Sequence, residues 1–403
     1  MLTFVYTARD TSTNKVIHST VQAESERAAA KLLMGQGIIP LEIVEEGKKT
    51  NLLSRFTNRV SAKDRIIFTR QLATLINAGL PLAQSLHTLT EQTTNKAMVS
   101  IINDIITSIE GGSSLSQSFA RHPNVFNEVY LALITAGEAS GTLDQALERI
   151  ASQQEKDAEL LGKVRGAMVY PAIVLVVIFG VIGFMMFTVM PQIERLYHDL
   201  KKTLPWTTQI LVDFANFATQ FWWLLLLLLI AAIYFLRRYV QTDNGREVFD
   251  TIKIRMPLFG TMFMKLYMAR FARTGQTLLS TGVPMLEMMR ISSQAVNNRV
   301  ISHSLDKAAD KVKGGKALSV ALKNGENILP LVPQMIGIGE QSGGIDNMMG
   351  KAATYYEDEL DNTIRSISTA IEPVLMVCLA VVAGFMVAAI LLPVYSLVNT
   401  SAL

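Results

Sequence analysis

FTRQLATLINAGLPL, Phe68 to Leu82, returns as FARTGQTLLSTGVPM, Phe271 to Met285, 203 residues later. EGGSSL at Glu110–Leu115 returns at the same offset as KGGKAL at Lys313–Leu318. GEASGTLD, Gly137–Asp144, returns as GEQSGGID, Gly339–Asp346, at an offset of 202, so one residue is lost in between. Pro171 and Pro191 bracket one apolar stretch and Pro373 and Pro393 another, again 202 apart. A helical module that feeds a membrane helix is therefore duplicated in tandem, and self-similarity of this kind decides the architecture before any local reading does. Such a plan suits a scaffold more readily than an enzyme.

Half of the 403 residues are hydrophobic and 18% are charged, with the apolar excess held in discrete blocks. Gly166–Met190 runs 25 residues without a charge, Phe214–Leu236 runs 23, and Pro373–Leu403 has none. About 20 helical residues cross a hydrocarbon core of about 30 Å, so each block is long enough to span. MLTFVYTARD has no apolar core behind a basic start, and no cleavable signal peptide is expected from it. The single cysteine, Cys378, excludes a disulfide framework within the chain, and a net charge of +3 gives no reason to expect nucleic acid.

Lys and Arg flank the spans unevenly. Arg149, Lys156, Lys163 and Arg165 precede the first, Arg237, Arg238, Arg246, Lys253 and Arg255 follow the second, and nothing basic follows the third. By the positive-inside rule the amino terminus and residues 237–372 are expected inside and the carboxyl tail outside. Arg195, Lys201 and Lys202 in the loop 191–213 run against this.

Residues 1–46 read as a small α+β module. Phe4–Tyr6, Val16–Val21 and Ile38–Val44 suggest strands, the last at an edge because of Pro40, with a DTSTNK turn and a helix over Glu24–Met34. A polar, basic linker follows at 47–61. From Ala62 the spacing turns helical: Phe68, Leu72, Leu75 and Ile76 share one face, and Phe271, Gly275, Leu278 and Leu279 repeat it. Gly275 in place of Leu72 predicts looser packing in the second copy. The expected order is a first cytoplasmic helical bundle at 62–165, spans at 166–190 and 214–236 around a short external loop 191–213, a second bundle at 237–372, a third span at 373–397 and an external tail at 398–403. The fold class is mainly α, a polytopic membrane protein. Long helices couple each bundle to its span, and Pro171, Pro191, Pro373 and Pro393 are candidate kinks.

Catalytic patterns are missing from the sequence. Gly314–Leu318 lacks the Walker spacing and the Ser/Thr after Lys, no HExxH occurs, and the five histidines share no spacing. In GEASG the serine is one position away from the hydrolase GxSxG pattern. The spans carry no mid-depth charge of the sort a proton or ion path uses. No catalytic residue, cofactor or metal is expected. The duplicated GExSGxxD turn holds the remaining polar signal, in Glu138, Gly141 and Asp144 and in Glu340, Gly343 and Asp346. It reads first as helix-building, with Ser140, Thr142 or Ser342 as caps and an acid at the dipole. It reads second as a docking turn for a motor, and third as a weak cation site.

At these residues the chain resembles the bacterial type II secretion F protein family, the inner-membrane platform proteins of type IV pilus and type II secretion machines. The resemblance rests on LLMGQGIIPLEI, the two FTRQ/FART openings, both GExSGxxD turns, the proline-bracketed spans and PVYSL at Pro393–Leu397. It implies a non-enzymatic platform in the bacterial inner membrane. The implied partners are a hexameric assembly ATPase, pilin or pseudopilin subunits, other inner-membrane components of the machine and further copies of the chain. A subunit of a membrane permease or channel is the alternative, weakened by having three spans with no polar lining. A membrane-anchored sensor would need a larger external domain than 191–213.

Overall fold

A computed structural model of the chain describes residues 2–10, 16–23, 28, 32–33, 35, 38–45, 60–199, 206–257, 259–323 and 325–400. Two compact units result: residues 1–61 with Thr93–Ser100, and the remainder. In the first, β1 (Leu2–Asp10), β2 (Val16–Ala23) and β3 (Ile38–Glu45) form an antiparallel sheet in the order β2-β1-β3. Phe4 pairs with Val21 on one side and Glu45 on the other. The β1–β3 register slips between Thr7 and Ala8, where Ala8 faces Pro40. A proline donates nothing to a ladder, and it stands here on an edge strand beside that slip. Ala28, Leu32, Leu33 and Gly35 are helical. The rest of the helix expected over Glu24–Met34, most of the DTSTNK turn and the linker residues Gly47–Arg59 lie outside the described residues.

The second unit holds the membrane helices and the duplicated bundles, apart from Thr93–Ser100, where the third helix of the first bundle begins. The first copy comprises α1 (Ala62–Asn77), α2 (Leu82–Gln92), α3 (Lys96–Glu110), α4 (Leu115–Ala120), α5 (Glu128–Ser140) and α6 (Leu143–Phe184). A π-helical turn, Met185–Val189, leads into α7 (Met190–Asp199), followed by α8 (Trp206–Gln220), α9 (Trp222–Gln241) and α10 (Asp243–Arg255). The second copy comprises α11 (Gly260–Ser280), α12 (Met285–Val296), α13 (Arg299–Lys313), α14 (Leu318–Lys323), α15 (Leu331–Ser342) and α16 (Ile345–Thr400). Among the described residues the glycines with left-handed backbone fall into three pairs, Gly79 and Gly282, Gly112 and Gly315, Gly141 and Gly343. Each pair ends corresponding helices, where the missing Cβ removes the penalty of a positive φ.

Copy one is centred on aromatic rings. Phe119 sits 4.4 Å from Phe126 and 5.1 Å from Tyr130, with Phe68 edge-on at 6.4 Å. Copy two buries Phe271 too, but its other buried side chains include Met288, Leu322, Val332 and Met349, which are aliphatic or thioether. The looser packing expected at Gly275 is not found. A Cβ there would meet Met349 Cε at 2.2 Å and Met288 Sδ at 3.2 Å, so two flexible thioethers fill the space the missing side chain leaves. The copies also pack on each other: Leu160 and Val164 of α6, Met262 and Leu266 of α11, and Leu360 and Ile367 of α16 form one buried cluster. Lys163 closes it by an ion pair to Asp361 at 2.6 Å.

Three helices are long and apolar enough to cross a membrane, within Leu143–Asp199, Trp222–Gln241 and Ile345–Ala388. At 42 and 56 residues, α6 and α16 extend about 63 and 84 Å, far more than the ~30 Å of a bilayer core. The bundle helix and the spanning helix are therefore one rod in each copy. The rods run on as helix through Pro171, Pro373 and Pro393. Only before Pro191 does the pattern widen, into the π turn, which relieves the crowding a proline ring brings to the preceding turn.

Two expectations need correction. Residues 191–213 are largely helical, with Met190, Ile193 and Tyr197 of α7 packed on Val212 and Ala215 of α8 and on Met185. Asn216 donates from Nδ2 to both carboxylate oxygens of Glu194, at 3.1 and 3.2 Å. The block Phe214–Leu236 is accordingly broken at Phe221, and the spanning helix begins at Trp222. An uncharged run cannot reveal this division, because Ala215 and Asn216 serve packing against α7 while remaining uncharged.

Candidate functional site

The paired GExSGxxD turns are built from the same parts. Gly137, in α5, lies against the start of α6: a Cβ would fall 2.6 Å from Ala146 Cβ. At Gly339, in α15, it would fall 2.6 Å from Ile345 Cα. Only glycine permits this approach of helix to helix.

The following glutamate turns inward. Glu138 accepts from the backbone N–H groups of Leu115 at 2.5 Å and Ser116 at 3.0 Å, the first two residues of α4. Glu340 accepts from Leu318 N–H at 2.6 Å and Ser319 N–H at 3.3 Å, and from the Ser319 hydroxyl. The first N–H groups of a helix have no partner within it, and an ionised acceptor there satisfies them and the helix dipole together. Each charge-assisted bond contributes about 1.5–3 kcal/mol. A six-residue helix is too short to hold itself, so the glutamate fastens α4 to α5 and α14 to α15.

Gly141 and Gly343 then end their helices at φ 72° and 74°. Asp144 and Asp346 sit in the first turns of α6 and α16, on the favourable side of the dipole. The capping role expected of the hydroxyls is not found. Thr142 occupies the N-cap position of α6 without accepting a backbone N–H there. Ser140 and Ser342 donate back to the carbonyls of Ala136 and Ile338, at 2.7 and 2.9 Å. What the turns expose is Ala139, Ser140 and Gly141 in one copy and Gln341, Ser342 and Gly343 in the other.

A second duplicated constellation escaped the motif reading. Arg70 of α1 donates from Nε and Nη2 to both oxygens of Glu155 on α6, at 2.7 and 2.6 Å, and from Nη1 to Glu148 at 2.5 Å. Arg273 of α11 makes the same fork on Glu357 of α16, at 2.9 and 2.8 Å. Their recurrence at the offsets already seen in the glycine motifs was the available signal. Both clamps tie the opening helix of a bundle to the rod that enters the membrane. The Arg70 guanidinium holds the Glu155 carboxyl below the ordinary range.

Among the described residues no three His, Cys, Asp or Glu side chains lie close enough together to hold a metal ion. His122 pairs with Asp104 at 2.8 Å and His87 with Glu110 at 3.3 Å.

The family model for type II secretion system protein F matches residues 68–191 and again 271–393, and that for the protein F amino-terminal domain matches 1–44. The chain belongs to the type II secretion system protein F family. The two matches to the main model begin at Phe68 and Phe271, the openings of the internal repeat. Among curated members, the type IV pilus assembly protein PilC of Thermus thermophilus is 37% identical over 404 residues, covering 99% of both chains. PilC of Myxococcus xanthus is 36% identical over 84% of this chain and 81% of its own. The type II secretion system protein F of Vibrio cholerae is 30% identical over 99% of both. The protein F family thus spans the sheet unit, both bundles and all three membrane helices of this chain.

Proposed function

We propose that the protein is a non-enzymatic inner-membrane platform on which type IV pili or type II secretion pseudopili are assembled. It couples a cytoplasmic hexameric ATPase to the extraction and polymerisation of pilin subunits. The observation that carries this reading is mechanical: each bundle continues without interruption into the membrane, as α6 and as α16. The Arg–Glu clamps and the inward glutamates make each bundle and its rod one body. A displacement imposed on a bundle is then delivered to the apolar helices without passing through a flexible joint.

The names of the relatives, type IV pilus assembly protein and type II secretion system protein F, support the machine to which this transmission belongs. Basic residues before the first span and after the second support an amino terminus in the cytoplasm and a carboxyl terminus outside. An apolar cavity of about 260 Å³ between the first and third spans, edged by Met185, Met186, Met190 and Met386, offers adaptable contacts to a pilin helix. The exposed crests of the two GExSGxxD turns, at Ala139 and Gln341, are the proposed ATPase contacts. Glu138 and Glu340 hold those crests in place.

In-membrane cross-linking from a tagged chain, followed by mass spectrometry, tests the proposal. Capture of a hexameric secretion ATPase together with pilin-like subunits supports it. Capture of neither, with the machine expressed and the chain folded, overturns it. Ala139→Arg with Gln341→Arg should abolish the ATPase cross-link while the pilin cross-link persists.

A further inference from the structure

The second spanning helix, α9, ends at Gln241, and one residue, Thr242, separates it from α10. The Thr242 hydroxyl donates to the Tyr239 carbonyl at 2.6 Å and accepts from the Gly245 N–H at 3.2 Å, so one side chain closes α9 and opens α10. A Cβ at Gly245 would fall 1.9 Å from the Tyr239 carbonyl oxygen. The face of α10 that carries Gly245 is therefore turned toward the end of the spanning helix.

Three, four and seven residues on from Gly245 along that face come Val248, Phe249 and Ile252, exposed by 48, 40 and 50%, and Met256, 40% exposed, follows at the end of the helix. On the other side of the helix the bundle is held through Asp250 and Asp243. Asp250 is buried and accepts from Lys253 Nζ at 2.8 Å and from the Arg299 N–H at 3.0 Å, and Asp243 pairs with the Arg299 guanidinium. At helical spacing Arg246 and Lys253 border the apolar face on one side and Arg255 on the other, while Asp243, Glu247 and Asp250 lie on the side away from it, Asp250 buried against the bundle and Glu247 exposed. Lys253 Nζ stands 4.7 Å over the Phe249 ring.

An apolar stripe edged by cations, with the acids on the far side, is the pattern of a helix lying in a lipid interface. Its continuity with a spanning helix through a one-residue corner names the occupant. We propose that α10 lies in the headgroup region of the leaflet from which α9 emerges. Val248, Phe249, Ile252 and Met256 enter the acyl boundary, and Arg255 faces the phosphates of anionic lipids. The inference needs α9 to span the membrane and is independent of the pilus reading. Through the Asp250 clasp the second bundle then stands on the bilayer surface as well as hanging from its rods.

The test uses the full chain with Cys378→Ser and single exposed cysteines, Asn244→Cys, Glu247→Cys, Val248→Cys or Ile252→Cys. Each is nitroxide-labelled and placed singly in nanodiscs of phosphatidylcholine with phosphatidylglycerol. Collisions with oxygen, which concentrates in lipid, are compared with those of a water-soluble nickel chelate. The oxygen-to-nickel ratio should be several-fold higher at 248 and 252 than at 244 and 247, and the contrast should shrink without phosphatidylglycerol. Nickel access at 248 and 252 equal to that at 247 overturns the proposal, since the face is then in water. Exclusion of both reagents there overturns it in favour of a protein partner, such as a second copy. A contrast unchanged by removing phosphatidylglycerol overturns the anionic-lipid assignment.

Discussion

The two copies keep the same backbone punctuation and fill it with different side chains. At corresponding positions copy one buries Leu72, Ser85 and Leu147, and copy two buries Gly275, Met288 and Met349. Copy one sets Phe119 edge-to-face with Tyr130, where copy two has Leu322 and Val332. The glycine turns, the inward glutamates and the Arg–Glu forks are kept in both. These features fix direction and are shared, whereas volume in a core can move from one side chain to its neighbours if the total is conserved. The comparison makes each copy a control for the other.

The largest effect should come from forcing copy one's site to copy two's residue without compensation. Leu72→Gly empties a fully buried position and adds a helical glycine, at a cost of about 4 kcal/mol. Gly275→Leu overfills the reciprocal site against Met349 and should cost about 1–3 kcal/mol. Combining Gly275→Leu with Met288→Ser and Met349→Leu transplants copy one's set, and most of the loss should be recovered. Hydrogen exchange of the full chain in nanodiscs, resolved by copy, reads all three. If the triple variant were no more stable than Gly275→Leu, the volume-exchange account would be wrong.

Next come the inward glutamates. Glu340→Ala strips two backbone donors and the Ser319 hydroxyl of their acceptor, and Ala317 at the preceding position offers no replacement. A loss of about 2–3 kcal/mol is expected, with α14 exchanging first. Glu138→Ala should cost less, about 1–2 kcal/mol, because Ser114 still accepts from the Gln117 N–H at 3.2 Å. Ala317→Ser should bring copy two toward copy one by about 0.5–1 kcal/mol. Equal losses at Glu138 and Glu340 would show that the Ser114 cap contributes nothing.

Much of this was legible in the sequence, for identifiable reasons. Repeats expose whatever cannot vary, so Gly79 with Gly282 and Glu138 with Glu340 stood out without coordinates. The sheet was readable from short β-branched runs and from Pro40, which marked its edge. The inward direction of the glutamates was not readable, since motif spacing carries no information about a partner more than 20 residues away. The break at Phe221 was hidden for a related reason: hydropathy cannot distinguish apolar surface that faces lipid from apolar surface that faces α7. The Met349 infill at Gly275 needed a contact across 74 positions. The Arg70–Glu155 and Arg273–Glu357 forks were present in the offsets, but individual charged residues on amphipathic helices attract no notice.

Those forks give the smallest contrast. Arg70 and Glu155 have side chains exposed by 31 and 44%, while Arg273 and Glu357 are exposed by 22 and 11%. An exposed pair contributes below about 1 kcal/mol, and bidentate geometry with less solvent raises this. Arg273→Gln should therefore lower the unfolding temperature of the full chain in nanodiscs more than Arg70→Gln does. Acid separates the contributions further. The Glu155 carboxyl is held below its unfolded value of about 4.3 by the Arg70 fork, so its contribution is complete above that pH. That contribution is lost as pH falls through the lower, folded value. The difference between wild type and Arg70→Gln should thus be present at neutral pH and vanish in strong acid. A difference independent of pH would assign the effect of Arg70 to its packing against α6 and remove charge from the account of copy one's clamp.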